Sequence, residues 1–416
     1  MLQFFRSKRE ESITRDGVPP ENRDVKGDWE AALESILSQL KTHSGKTVNA
    51  DSALYSSAVV GCVRVLAETL ASLPLILYRK RADKGKDVAD SHYLYPLLHD
   101  SPHPMLSSFE FRELLMGHLC LRGNSYAFKE RTSGGELLSL TPLLPQNMTP
   151  EVAPDGKSKI YKYIDAKGMQ HTFRDDEIWH LKGLSTDGVI GLSPISLARE
   201  AIGLALAAED YGARFFSNDA RPGGILTSPG KIAPDAAKRL KESVEEATTG
   251  ANRHRLMVLE QGLDWKQVGL SQADSQFLET RKLQIEEIAR IFRVPCILIG
   301  HANATSTFAS AEQFMLSFVI HTMRPWVVRW EQSINMNLIK ESDRKAGYFA
   351  EFKLDALMRG DTASRFSAYS QAIASRIMNP NEVRSLENLN PYDGGEEYLN
   401  PAIDTTPTQG EPDVNQ

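Results

Sequence analysis

Small and apolar residues cover most of a helical surface from residue 53 to residue 73, and Arg64 and Glu68, spaced i,i+4, mark its polar stripe. Pro74 cannot continue that helix, so the apolar run over residues 75–78 reads as a strand leading into the charged turn KRADKGKD. A second helix is predicted over residues 109–121, with Ser107 or Ser108 as its N-cap. Strands then take over. Residues 125–130 lead into the turn SGGE, residues 159–164 and 170–174 form a hairpin around AKG, and residues 178–181 add a further edge.

Ser193 and Pro194 open a long helix running to residue 217, with proline at an early turn where its missing N–H is harmless. Its many small residues, Gly203 and Ala207 among them, allow another helix to approach closely. Residues 219–270 read as a compact β-α-β-β unit: a strand at 224–226, a helix opened by Pro234, and strands at 255–259 and 265–268. Helical spacing resumes at Ser271, where Ser-x-x-Asp resembles a capping box, and runs through Ile285, Ile288 and Phe292 until Val294 and Pro295 stop it. GHANATSTFAS, from Gly300 to Ser310, is a small polar loop suited to movement.

The helix expected over residues 310–339 would be roughly 45 Å long at ~1.5 Å per residue. Phe314, Met315, Phe318, Thr322, Trp326, Trp330, Ile334 and Leu338 follow its apolar face, and Pro325 should kink it. A strand over 348–354, a helix over 362–377 and a last helix with Asn379 ahead of Pro380 complete an α+β chain.

Composition narrows the class. With 416 residues, 41% hydrophobic and 25% charged, the chain can bury one large core or two to three ordinary ones, which excludes a disordered polymer and a small stapled scaffold. Cys62, Cys120 and Cys296 are odd in number and far apart, so neither a disulfide framework nor a metal pair is expected, and a reducing compartment fits best. No run reaches the roughly 18 apolar residues of a bilayer span, and residues 1–9 lack an apolar signal core, so no membrane insertion or export is expected. Residues 1–28 are polar around Pro19 and Pro20 and predict a mobile arm.

The charge is unevenly placed. There are 48 basic and 54 acidic residues, and six of the acidic ones, Asp393, Glu396, Glu397, Asp404, Glu411 and Asp413, lie in residues 393–416, which have no Lys or Arg. That segment holds the whole net charge and predicts a disordered tail, leaving residues 1–392 balanced at 48 against 48. A balanced body is not the basic surface on which a gripping DNA binder relies for counterion release.

Catalytic patterns are missing. None of the ten histidines has HExxH spacing or a cysteine partner, and His99, His103, His118 and His180 read as structural. Gly191 to Ile195 starts like a nucleophile elbow but has Ile195 where glycine is required, and Gly230-Lys231 is followed by Ile232 rather than Ser or Thr. The carboxylate pairs Asp175–Asp176, Glu245–Glu246 and Glu286–Glu287 read as turns or solvated helix faces. Neither a cofactor nor a metal is implied.

The order of these segments carries a resemblance. SALYSSAVVGCVRVLAETLASLPLILYRK and HYLYPLLHDSPHPMLSSFEFRELLMGHLCLRGNSYAF resemble the N-terminal half of tailed-bacteriophage portal proteins of the Hong Kong 97-like family. GLSPISLAREAIGLALAAEDYGARFFSNDARPGGIL, FRVPCILIG, SAEQFMLSFVIHTMRPWVVRWEQSIN and MNPNEVRSLENLNP are similar to later segments of that family, in its order, so the resemblance spans about residues 50–392.

The resemblance implies a non-enzymatic subunit of a ring, usually of twelve, whose channel passes double-stranded DNA at one capsid vertex. It implies residues 1–49 as a flexible arm, 50–193 as the wing, 194–218 as the first stem helix and 219–270 as the clip. Residues 271–294 would be the second stem helix, 295–310 the tunnel loop, 311–354 a kinked long helix with a return to the wing, 355–392 the crown and 393–416 the tail. His301, Asn303, Thr305 and Ser306 would offer DNA weak hydrogen bonds in the channel. Lys238, Arg239, Lys241, Arg253 and Arg255 are clip candidates for contact with the motor or DNA, and Ala201, Ala205, Ala208 and Gly212 for subunit packing. Implied partners are the terminase large subunit, the major capsid protein and a head–tail adaptor, in the virion and, during assembly, the host cytoplasm. Two other readings stay open: an enzyme with an unrecognised site, and a non-viral assembly or adaptor protein.

Overall fold

In the computed structural model the described residues are 42–82, 85–217, 224–227, 230, 234–235, 238–239, 264–267, 273–301, 308–357, 362–387 and 389–398. They fall into two compact units, residues 42–56 with 198–284 and residues 57–197 with 285–398.

The larger unit begins with the predicted apolar helix, Ser57–Ser72, preceded by a separate 3-10 turn, Ser52–Tyr55, that belongs to the other unit. Helix Ser108–Arg122 packs against it and starts with a capping box: the Ser107 side chain accepts from the Glu110 N–H while Glu110 reaches back to the Ser107 N–H. Arg112 is buried between the two. Its Nη2 donates to Ala71 O at 2.7 Å and its Nη1 to Leu98 O at 3.3 Å, satisfying carbonyls that helix ends leave open. Burial pulls the guanidinium down to about 10.

Three sheets of three strands complete this unit. Strand β1, Leu75–Lys80, lies between β2, Lys86–Val88, and the distant β11, Tyr348–Phe352, both antiparallel, with Leu75 opposite Phe352 and Leu77 opposite Ala350. Strand β3, Asn124–Arg131, is central between β4, Leu137–Leu143, and β8, Ile178–Lys182. In the third sheet β6, Lys159–Ile164, is central between β5, Met148–Val152, and β7, Gln170–Arg174. Tyr126, Leu143, Met148, Tyr161 and Ile178 form one buried cluster, so the last two sheets share a core. The β6–β7 hairpin keeps the bounds its sequence predicts, because its alternation and its Gly168 turn are both local.

The long helix differs from expectation in its middle. Phe308–Phe318 and Arg324–Asn337 are α-helical, and the turn between them, Val319–Met323, is π-helical. Pro325 has no N–H for the His321 carbonyl and its ring crowds that group, so a wider turn ahead of it relieves both problems. The apolar stripe is also divided. Phe318, Trp330, Ile334 and Leu338 are buried, with Trp330 edge-on to Trp179 at 5.7 Å, whereas Phe314 and Met315 are exposed. Thr322 lies on the buried side because its Oγ1 donates to Arg293 O at 2.6 Å, the carbonyl of a left-handed residue just past a helix end.

Helix Pro380–Leu386 has the expected start, with Asn379 and Glu382 in a reciprocal capping box. Residues 393–398, expected to be free tail, fold back: the Asn381 N–H donates to Gly395 O at 2.9 Å and Tyr398 Oη to Glu382 Oε1 at 2.9 Å.

In the smaller unit the expected single helix starts anew at Arg199, as Arg199–Ser217, after a short turn Pro194–Leu197 in the other unit. Strands β9, Gly224–Thr227, and β10, Asp264–Gln267, pair antiparallel as two strands of the predicted β-α-β-β unit. The strand expected at 255–259 and the Ser271 capping box lie outside the described residues.

Candidate functional site

Of three features singled out by the sequence, the small-residue helix is described, while the basic candidates after Pro234 and the polar loop after Gly300 are described only in part. Along helix Arg199–Ser217 the residues Ala201, Ala205, Ala208 and Gly212 share one face; Ala205 and Gly212 are buried and the other two half-buried. Packing within the chain already uses this helix. A Cβ on Gly203 would lie 2.6 Å from Thr42, the His43 N–H donates to Glu200 Oε2 at 3.0 Å, and Lys46 pairs with Asp210. The end of the expected free arm is therefore tied down from Thr42 onward. Arg281 stands 3.8 Å from Glu209 and links the helix to the middle of Ala273–Phe292. The outward side carries Leu204 and Tyr211, seven residues apart and each about half exposed.

Lys238 and Arg239 are exposed, and Arg239 Nε donates to Asp235 O at 3.3 Å. Lys241, Arg253 and Arg255 lie outside the described residues, as do Asn303, Thr305 and Ser306. His301 is half-buried; its N–H donates to Cys296 O at 2.9 Å and its Nε2 is sealed from solvent without a hydrogen-bond partner among the described residues.

Part of the helix face predicted as apolar is not buried. Phe314, Met315 and Leu316 are 45%, 40% and 46% exposed, and Ile320 is 41% exposed. At about 100° per residue, three consecutive side chains sweep about 200° of a helix, so no single core can cover them. A helix apolar over so much of its surface needs another surface against it. The sequence signal is adjacency itself, which a stripe at helical spacing does not require.

Among the described residues no group of three or more His, Cys, Asp or Glu could hold a metal ion, and no helix is long and apolar enough to cross a membrane. Despite the wide spacing in sequence, Cys62 lies within electrostatic reach of both Cys120 and Cys296. Burial, then Cys296, pushes the Cys62 thiol up to about 12; burial, then Cys62, does the same to Cys120, so neither is a thiolate nucleophile.

The two innermost histidines make stability pH-dependent. His180 lies against Tyr126 at 4.4 Å and edge-on to Tyr161, and its Nε2 is 3.0 Å from Asn124 Oδ1. Burial, with Lys159 and Lys182 nearby, holds it far below the usual histidine range; burial and Arg122 bring His118 down to about 4. The unfolded chain protonates both near 6.5, while the folded chain resists. Stability is thus full above that value and falls as pH drops below it, by up to about 1.4 kcal/mol per pH unit for each histidine. Urea titrations between pH 7 and 5 should show this slope, and a His118→Gln/His180→Gln variant should flatten it. An unchanged slope would mean that the rings are protonated in the fold.

The family model described as phage portal protein matches residues 57–388. The chain is 36% identical over 354 residues to the portal protein of Enterobacteria phage HK97, covering 84% of this chain and 82% of that one. A chain from the neck of a native gene transfer agent particle, computed with C12 symmetry, shares the fold with a TM-score of 0.57 and 27% identity, over 81% of this chain and 91% of that one. An HK97-family portal protein from Corynebacterium diphtheriae shares it with a TM-score of 0.55 and 18% identity, over 74% and 96%.

Proposed function

The chain belongs to the phage portal protein family, and we propose that it acts as the subunit of a closed ring, twelve copies around a channel at one capsid vertex, through which double-stranded DNA is packaged and later ejected. The observation that carries this is the uncovered apolar end of the long helix, Phe314 to Leu316 with Ile320. A cyclic ring uses a heterologous interface, in which one surface of each subunit meets a different surface of the next. A single chain then shows an apolar surface that its own described residues leave exposed. The twelve-fold neck of the gene transfer agent particle supports the count.

In this reading the wing, stem, clip, tunnel-loop and crown boundaries are those the resemblance implies. The charge-balanced body suits a conduit, since DNA held by few fixed charges moves without being gripped. The family is structural rather than catalytic, and ATP hydrolysis belongs to a terminase docking on the ring, with capsid protein and a head–tail adaptor as further neighbours. Lys238 and Arg239, both exposed, remain candidates for the motor contact.

Electron micrographs of the purified full chain should show closed rings; a monomer or dimer at every concentration would overturn the reading. Deleting residues 303–307 should spare those rings and reduce packaged DNA to a small fraction of wild type in a complementation assay. Normal packaging by that deletion would remove the channel role from the loop.

A further inference from the structure

We propose that a cleft between strands β6 and β8 and helix Arg324–Asn337 is a binding site for a dianionic phosphate, either inorganic phosphate or the terminal group of a nucleotide. The cleft encloses about 540 Å³, and its walls include Lys159, Lys182, Arg329, Tyr161, Asp175 and His180. Three cations therefore face one carboxylate. The proposal does not depend on the ring, since every wall comes from one compact unit.

The cations are poorly matched by the protein itself. Burial, then the Lys182 charge, pulls the Lys159 ammonium below the usual lysine range, and Lys159 makes no ion pair among the described residues. Lys182 Nζ donates to Gly188 O, a neutral acceptor. Arg329 Nη1 donates to Lys182 O at 2.7 Å and Gly183 O at 2.6 Å, which fixes the guanidinium and leaves Nη2 and Nε without a protein acceptor among the described residues. Asp175 accepts from Tyr161 Oη at 3.2 Å. Asp187, the other carboxylate near Lys159, is not part of the lining, and its Oδ1 accepts from the N–H groups of Val189 and Ile190 and from Ser185 Oγ.

A dianion between the two ammonium groups turns their repulsion into two charge-assisted hydrogen bonds, and the free edge of the guanidinium supplies more. The net charge of the lining, two positive, complements a phosphate dianion. A single carboxylate or a backbone phosphodiester would neutralise half of it.

The test uses the full-length protein and inorganic phosphate at fixed ionic strength, read by thermal shift and by ³¹P line width. Saturable stabilisation is expected, with the Kd about tenfold or more weaker in Lys159→Gln and in Lys182→Gln. Asp175→Asn should bind phosphate more tightly. Without phosphate, Lys159→Gln should melt no lower than wild type, because it relieves the lysine pair; folding is then not in question. Tighter binding of 5′-dAMP than of phosphate would identify a nucleotide as the ligand, and weaker binding would identify free phosphate. Equal stabilisation by chloride, a Kd unchanged in Lys159→Gln, or Lys159-dependent displacement of phosphate by a duplex lacking terminal phosphates would each overturn the proposal.

Discussion

Replacing Phe314 and Leu316 together by aspartate is expected to leave a folded monomer that no longer forms rings. Both side chains are nearly half exposed in the single chain, so the substitutions remove little of its own core and its melting temperature should hold within a few degrees. In a ring the same positions would be desolvated, and a buried carboxylate without a partner is strongly unfavourable. A loss of about 3 kcal/mol or more at each interface corresponds to more than a hundredfold in association. Light scattering coupled to size exclusion measures this directly. Rings that persist in the variant would place the subunit interface elsewhere and leave the apolar helix end for another partner. A Gln313→Asp control changes an exposed polar neighbour and should assemble as wild type.

Much of the fold was legible because its signals are local. The capping boxes at Ser107–Glu110 and Asn379–Glu382, the β6–β7 hairpin, the stop at Pro74 and the disturbance before Pro325 each follow from a few neighbouring residues. What was not legible depends on distant parts of the chain. Nothing in the local sequence marks the helix break at Ala198, since alanine is the best helix former. That Phe318 is buried and Phe314 exposed depends on where neighbouring elements end, and both occupy the same stripe. The phosphate cleft draws its cations from β6, β8 and a helix more than 140 residues later, and no spacing rule links Lys159 with Arg329. His301 was legible as loop but not as a half-buried side chain, because its environment comes from the fold.

Gly191→Ala, a change of one methyl group, is expected to destabilise the larger unit more than any surface substitution, by about 4–6 kcal/mol. A Cβ at Gly191 would lie 2.0 Å from Gly123 O and 2.9 Å from Gly183 N. These are backbone atoms, so no side chain can swing away, and Gly123 O is itself held by the Gly183 N–H at 2.8 Å. Gly123 cannot yield either: it caps helix Ser108–Arg122 in the left-handed region at φ 72°, and a Cβ there would meet Leu192 O at 2.1 Å. Asn124 closes the junction, accepting from the Gly191 N–H at 2.7 Å and donating to Gly191 O at 2.8 Å, so displacing residue 191 also breaks two buried hydrogen bonds. Against a typical total of about 5–15 kcal/mol, that loss would leave the variant unfolded or close to it at 37 °C. Gly117→Ala provides the contrast within the same unit: a mid-helix glycine whose added Cβ would meet nothing within 4 Å should gain about 0.5–1 kcal/mol. Urea midpoints for the two variants should therefore move in opposite directions. A Gly191→Ala midpoint close to wild type would show that the three-glycine junction has room that its backbone distances deny.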